Sequence, residues 1–112
     1  MTNSQKLARI FKLMSVDTRV RMIRLLKRRS LCVNALARVL ELTPAAVSQH
    51  LRLLRDADLV VPERRGYFIH YRLNERTLAK WETAAAKLLS VEEPKAPSAS
   101  AKAYKRKETG HV

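Results

Sequence analysis

The sequence predicts a mainly α-helical chain with a small β-hairpin: a winged helix-turn-helix of five helices and a two-stranded wing. Three observations point there. Between residues 32 and 56 a short helical segment, a connection of two or three residues and a longer capped segment follow one another. Two short extended runs then meet at Arg65-Gly66. A closing segment repeats apolar residues at three-four-three spacing through Leu78, Trp81, Ala85 and Leu88.

In chain order, Leu7, Ile10, Phe11 and Met14 fall at helical spacing and make one apolar stripe. Asp17 or Thr18 is expected to cap a second helix, running from Thr18 to about Arg29. Its inward positions are Val20, Ile23 and Leu26, and Arg21, Arg24, Lys27 and Arg28 face outward. A third, short helix is expected from Cys32 to Leu40, with Leu36, Val39 and Leu40 apolar, and Glu41-Leu42 forms a tight connection. Thr43 caps the fourth helix, and Pro44 occupies its first turn, where a missing N–H does no harm. That helix extends to about Asp56 and buries Val47, Leu51 and Leu54.

The first extended run, Leu59 to Glu63, is β-branched in its middle. The second, Tyr67 to Leu73, alternates Tyr67, Ile69, Tyr71 and Leu73 on one face with Phe68, His70 and Arg72 on the other. Gly66 supplies the backbone freedom of the turn between them. Asn74 caps the last helix. Its Leu78, Trp81, Ala85 and Leu88 seam exceeds what so small a domain needs, and pairs with Leu7, Phe11 and Met14 across a homodimer.

At 112 residues there is room for one core, assigned to residues 1–91. From Glu92 the sequence turns to Pro, Ser, Ala and Lys with little to bury, so residues 92–112 read as a disordered basic tail. That tail holds five Lys or Arg and three Glu, which leaves +11 of the formal +13 in the folded part. A small domain so basic attracts polyanions and meets them quickly. Cys32 is the single cysteine, so an intramolecular disulfide is impossible and a secreted, stapled fold is disfavoured. Apolar runs such as Leu59-Val60-Val61 are far too short for a membrane span, and the first residues lack a signal-peptide core. A cytoplasmic protein with no membrane partner is expected.

In a helix-turn-helix the second helix enters the major groove of double-stranded DNA and its N-terminal part reaches base edges. Here that part carries Thr43, Pro44, Ala45, Ala46, Ser48, Gln49, His50 and Arg52. Small side chains at 45 and 46 permit close approach, and Ser48, Gln49 and Arg52 can hydrogen-bond to bases or phosphates. Arg64, Arg65 and Tyr67 stand at the hairpin tip, where a wing meets the sugar-phosphate backbone. An ordinary solvated helix face would share the same period. The capped helix, basic hairpin tip and large positive charge on one small domain together favour DNA.

The stretch Val47-Ser48-Gln49-His50-Leu51-Arg52-Leu53-Leu54-Arg55-Asp56-Ala57-Asp58-Leu59-Val60 closely resembles the recognition helix of the ArsR family of bacterial repressors. Arg64-Arg65-Gly66, followed by Tyr71-Arg72-Leu73, resembles that family's wing. The resemblance covers about residues 5–90. It implies a homodimer joined through the first and last helices, binding a palindromic operator to occlude transcription, with metal, metalloid or redox control in many members. Two positions depart from the pattern. Asp58 stands where the family often has a Gly in a left-handed turn, and Tyr67 stands where an Arg often follows the wing Gly.

The resemblance also implies effector sites that these residues do not complete. The family's Cys-x-Cys pair maps onto Cys32 and Asn34, and one thiolate cannot build a three-coordinate soft-metal site alone. Its alternative site on the last helix needs Asp and His ligands, and none occurs from Asn74 to Leu89. His50, His70 and His111 are scattered, so neither a metal site nor a cofactor is expected. Redox control through Cys32 stays open, although an intersubunit disulfide or a small-molecule thiol would have to resolve it. Cys32 also reads as a small buried apolar residue. No phosphate loop, activated nucleophile or carboxylate pair argues for an enzyme. A winged helix serving RNA or protein contact is the remaining rival.

Overall fold

The computed structural model describes residues 1–91, so the expected basic tail lies outside the described residues. Five helices and three strands follow in the order α1 (Asn3–Met14), α2 (Asp17–Arg28), β1 (Leu31–Cys32), α3 (Val33–Leu40), α4 (Pro44–Asp56), β2 (Val60–Arg65), β3 (Phe68–Leu73) and α5 (Glu75–Leu89). The core is mainly aliphatic. Met22, Leu36, Val47, Leu51, Leu54, Leu59 and Val60 are fully buried, so α2, α3, α4 and the root of β2 pack against one another.

Local chemistry accounts for the helix starts. Thr2 and Gln5 form a reciprocal capping box at α1. Thr43 Oγ1 accepts from the Ala46 N–H at 3.1 Å, with Pro44 at the first helical position of α4. Asn74 caps α5 through the Thr77 N–H. The start of α2 differs from expectation. Val16 occupies the cap position without a side-chain bond, and Asp17 lies inside the first turn, where its charge favours the helix N-terminus.

Between α3 and α4 the chain turns through Glu41 in the left-handed region (φ 56°), and the Leu42 N–H bonds back to the Ala37 carbonyl at 3.0 Å. This tight connection is the turn of the helix-turn-helix.

Several inward assignments shift by one residue. Val39 is 53% exposed, because α3 turns Leu36, Ala37 and Leu40 inward. On α2, Met22 joins Ile23 and Leu26 in the core while Val20 is half-buried. On α1, Leu13 is the buried residue, Leu7, Ile10 and Met14 are half-buried, and Phe11 is exposed. In each case the helical period is as expected. The neighbouring elements decide which edge of the apolar stripe meets the core.

The wing is one strand wider than expected. Residues 31 and 32 form β1 rather than opening α3, and the sheet order is β1-β3-β2, antiparallel throughout. Leu31 pairs with Tyr71 and Cys32 with His70. Two residues have no periodicity of their own, and β1 exists because the inner edge of β3 offers unpaired backbone groups. On the other side β2 pairs with β3 from Val60–Leu73 to Arg65–Phe68. Tyr67 therefore belongs to the turn, not the strand. Gly66 takes φ +64° at the first of the two loop positions, as a type II′ hairpin requires. Burial fades along β3 from Leu73 through Tyr71 to exposed Ile69, since the hairpin projects beyond the core.

Candidate nucleic-acid interface

Helix α4 presents two opposite faces. Val47, Leu51 and Leu54 are fully buried, and Ala45, Ser48, Gln49 and Arg52 are exposed at spacings of three, four and seven residues. The outward set therefore forms one face, beginning directly after the Thr43 cap. His50 lies between the faces, half-buried, on the flank that turns toward α2. Arg19 Nε donates to His50 Nδ1 at 3.3 Å. Burial lowers the His50 pKa below its ordinary 6.5, and the Arg19 charge lowers it further.

At the wing, Arg64, Arg65 and Tyr67 are all exposed, with Phe68 and Ile69 beside them. Their electrostatics are unequal. Glu63 accepts from Arg72 Nε at 2.6 Å and from Arg65 Nη2 at 3.4 Å. The hydrogen bond from Arg72 is the main reason its carboxyl titrates below the usual value, and Arg65 adds to it. Among the described residues Arg64 has no such carboxylate partner, so it is the freer cation of the tip.

Cys32 is a half-buried free thiol on β1, immediately before α3, facing His70 across the sheet register. Asn34, the second residue of α3, is exposed. Among the described residues, no three His, Cys, Asp or Glu side chains gather as a metal site would require.

A second surface lies away from the wing and from the exposed face of α4, and touches α4 only at its C-terminal end, Asp56. Helices α1 and α5 flank an open groove of about 880 Å³ whose lining includes Leu7, Ile10, Leu13, Trp81 and Ala84. Of the expected seam, Leu78 and Trp81 are half-buried and pack against the chain's own core. Ala85 is half-buried, and Leu88 is 56% exposed.

Arg19 is absent from the residues the sequence marks for this site. Its partner is 31 positions away, and no local spacing signals that contact.

The model of bacterial regulatory proteins of the arsR family matches residues 17–61, which span α2 to the root of the wing. The transcriptional repressor SdpR of Bacillus subtilis is 32% identical over 69 residues, 62% of this chain and 77% of that protein. The chain belongs to the ArsR family of bacterial regulatory proteins. The arsenic resistance transcriptional regulator ArsR1 of Pseudomonas putida is 38% identical over 79 residues, 70% of this chain but 61% of that protein. The chain thus matches about three fifths of the length of that relative. A crystal structure of a possible transcriptional regulator for arsenical resistance superposes with a TM-score of 0.65 at 34% identity, covering 70% of this chain and 82% of that one.

Within this ArsR-family fold the residue at 58 has a structural account. Asp58 adopts φ 63°, the left-handed angle a Gly would take, and its carboxylate accepts from Thr77 Oγ1 at 3.2 Å. Tyr67 is fully exposed at the wing tip.

Proposed function

We propose that this chain is a homodimeric transcriptional repressor that binds a palindromic operator in double-stranded DNA. The observation that carries the reading is the exposed Ala45, Ser48, Gln49 and Arg52 face of α4, set against a fully buried opposite face. A helix anchored in this way can enter the major groove as a rigid body, with Gln49 and Arg52 meeting base edges and Ser48 a base or phosphate. Thr43 fixes the helix start, and Ala45 permits close approach. Arg64, with Arg65 and Tyr67, contacts the sugar-phosphate backbone beside it.

The groove between α1 and α5 is the dimer surface in this reading. Leu7, Phe11 and Met14 of one subunit meet Leu78, Trp81, Ala85 and Leu88 of the other. A two-fold axis there sets two copies of α4 on one side of the dimer, and an operator with matching symmetry follows. No helix among the described residues is long and apolar enough to cross a membrane. Repression of transcription in a bacterium places the protein in the cytoplasm, and its work is binding rather than catalysis. Its effector is not one of the metals held by a Cys-x-Cys pair or a last-helix site, and Cys32 is the one thiol available for redox control.

The test is selection of bound fragments from a genomic DNA pool, followed by competition of the selected duplex against structured RNA. Enrichment of a two-fold symmetric site that RNA does not displace is expected. Preferential RNA binding, or no nucleic-acid binding at all, would replace the reading with an RNA or protein adaptor.

A further inference from the structure

One arginine ties three helices together beside the candidate DNA face. Arg19, in the first turn of α2, donates from Nε to His50 Nδ1 on α4 at 3.3 Å and from Nη1 to the Leu13 carbonyl on α1 at 3.4 Å. A guanidinium has donors only, so the imidazole nitrogen that faces it must carry a lone pair. The proton of the neutral ring then sits on Nε2. Burial and the adjacent positive charge both disfavour the imidazolium, which would lose the Arg19 bond and repel the guanidinium. Among the described residues Nε2 itself makes no hydrogen bond, and it is not buried.

The position on α4 indicates what this donor meets. A helix in the major groove reads base edges along its outward face, here Ser48, Gln49 and Arg52, and meets the phosphates from its flanks. His50 is on a flank. We propose that Arg19 is a positioning residue of the DNA interface, fixing His50 as a neutral Nε2–H donor to a backbone phosphate at the groove edge. The inference rests on the reading of α4 as the helix that enters DNA.

Nitrogen-15 NMR of the His50 ring in the free protein tests the tautomer without DNA. A lone pair on Nδ1, a proton on Nε2 and a pKa below 6.5 are expected. Arg19→Leu should restore a tautomer mixture and raise the pKa, whereas a merely structural arginine would leave the ring unchanged. Fluorescence anisotropy supplies the DNA arm. His50→Ala and Arg19→Leu should each weaken selected and random duplexes alike, by about tenfold. The double variant should lose about the same tenfold rather than the product of the two, because both changes remove one contact. Arg19→Lys retains charge without the planar fork and should fall between, which keeps the comparison usable if Arg19→Leu folds poorly.

A proton on Nδ1 in the wild type, or multiplicative losses in the double variant, would overturn the inference. Loss of binding in Gln49→Ala and Arg64→Ala with none in His50→Ala would overturn it alone. Indifference of all these variants to DNA would remove the reading of α4 beneath it as well.

Discussion

Asp58 and Thr77 join the exit of the candidate recognition helix to the start of the last helix, through a hydroxyl-to-carboxylate hydrogen bond of 3.2 Å. Asp58 follows α4 in the left-handed region, and Thr77 is the buried polar residue of α5. The α5 helix lines the groove assigned to the partner subunit, so this contact links the proposed reading helix to the proposed dimer surface.

Substitution at 58 separates backbone angle from side-chain bond. Asp58→Ala loses the bond and keeps a Cβ in the left-handed conformation, and should destabilise by about 1–2 kcal/mol. Asp58→Gly loses the same bond but relieves the angle, and should be close to neutral. Thr77→Val, similar in shape, should cost about 1 kcal/mol. Urea denaturation measures all three, and equal stability of the Ala and Gly variants would show that the backbone angle is not what Gly relieves.

Phosphate neutralisation makes DNA affinity depend on salt. For a dimer with several phosphate contacts per subunit, the log–log slope of affinity against salt concentration should be on the order of −5 to −9. Anisotropy titrations across a salt series give the slope directly, and a flat dependence would refute the DNA assignment.

Readout and positioning should separate by variant. Gln49→Ala should relax base preference at particular operator positions, at about 1–3 kcal/mol on the selected site. Arg64→Ala should weaken all sequences similarly and flatten the salt slope by about one unit. Arg65 is held by Glu63, so Arg65→Ala should act in the same direction but less. Identical binding profiles for Gln49→Ala and Arg64→Ala would refute these roles.

Assembly can be tested from α5. Trp81→Asp should yield monomers in analytical ultracentrifugation, and operator affinity should collapse with the second helix-to-groove contact. Trp81 also packs on its own core, so Leu88→Asp, at a position 56% exposed, separates dimer loss from unfolding. Persistence of the dimer at micromolar concentration in both variants would place the interface elsewhere.

Effector response is expected to be narrow. Zinc, cadmium and arsenite should leave the protein on its DNA, because one thiol facing one imidazole does not supply a ligand set. A DNA-binding titration of wild type and Cys32→Ser, first with metals and then with peroxide, checks this. Metal-driven release that Cys32→Ser abolishes would overturn the reading. Oxidant-driven release dependent on Cys32 would identify a redox switch at the joint between β1 and α3.

What the sequence alone determined is local. The Thr43 cap with Pro44, the Asn74 cap, the Gly66 turn and the buried stripe Val47, Leu51 and Leu54 each depend on residues within a few positions of one another, so spacing and turn chemistry reveal them. The outward face of α4 follows from the same period. Tertiary structure decided the rest, because the deciding partner was distant in the chain. Leu31 and Cys32 are a strand only because β3 lies alongside, and Leu13 and Met22 outrank Phe11 and Val20 in burial because of how α1 and α2 lean on their neighbours. Asp58 waits 19 positions for Thr77, and Arg19 waits 31 for His50. A hydrogen bond over such separations leaves no periodic trace in the sequence, since loop closure and packing, not local propensity, bring the two groups together.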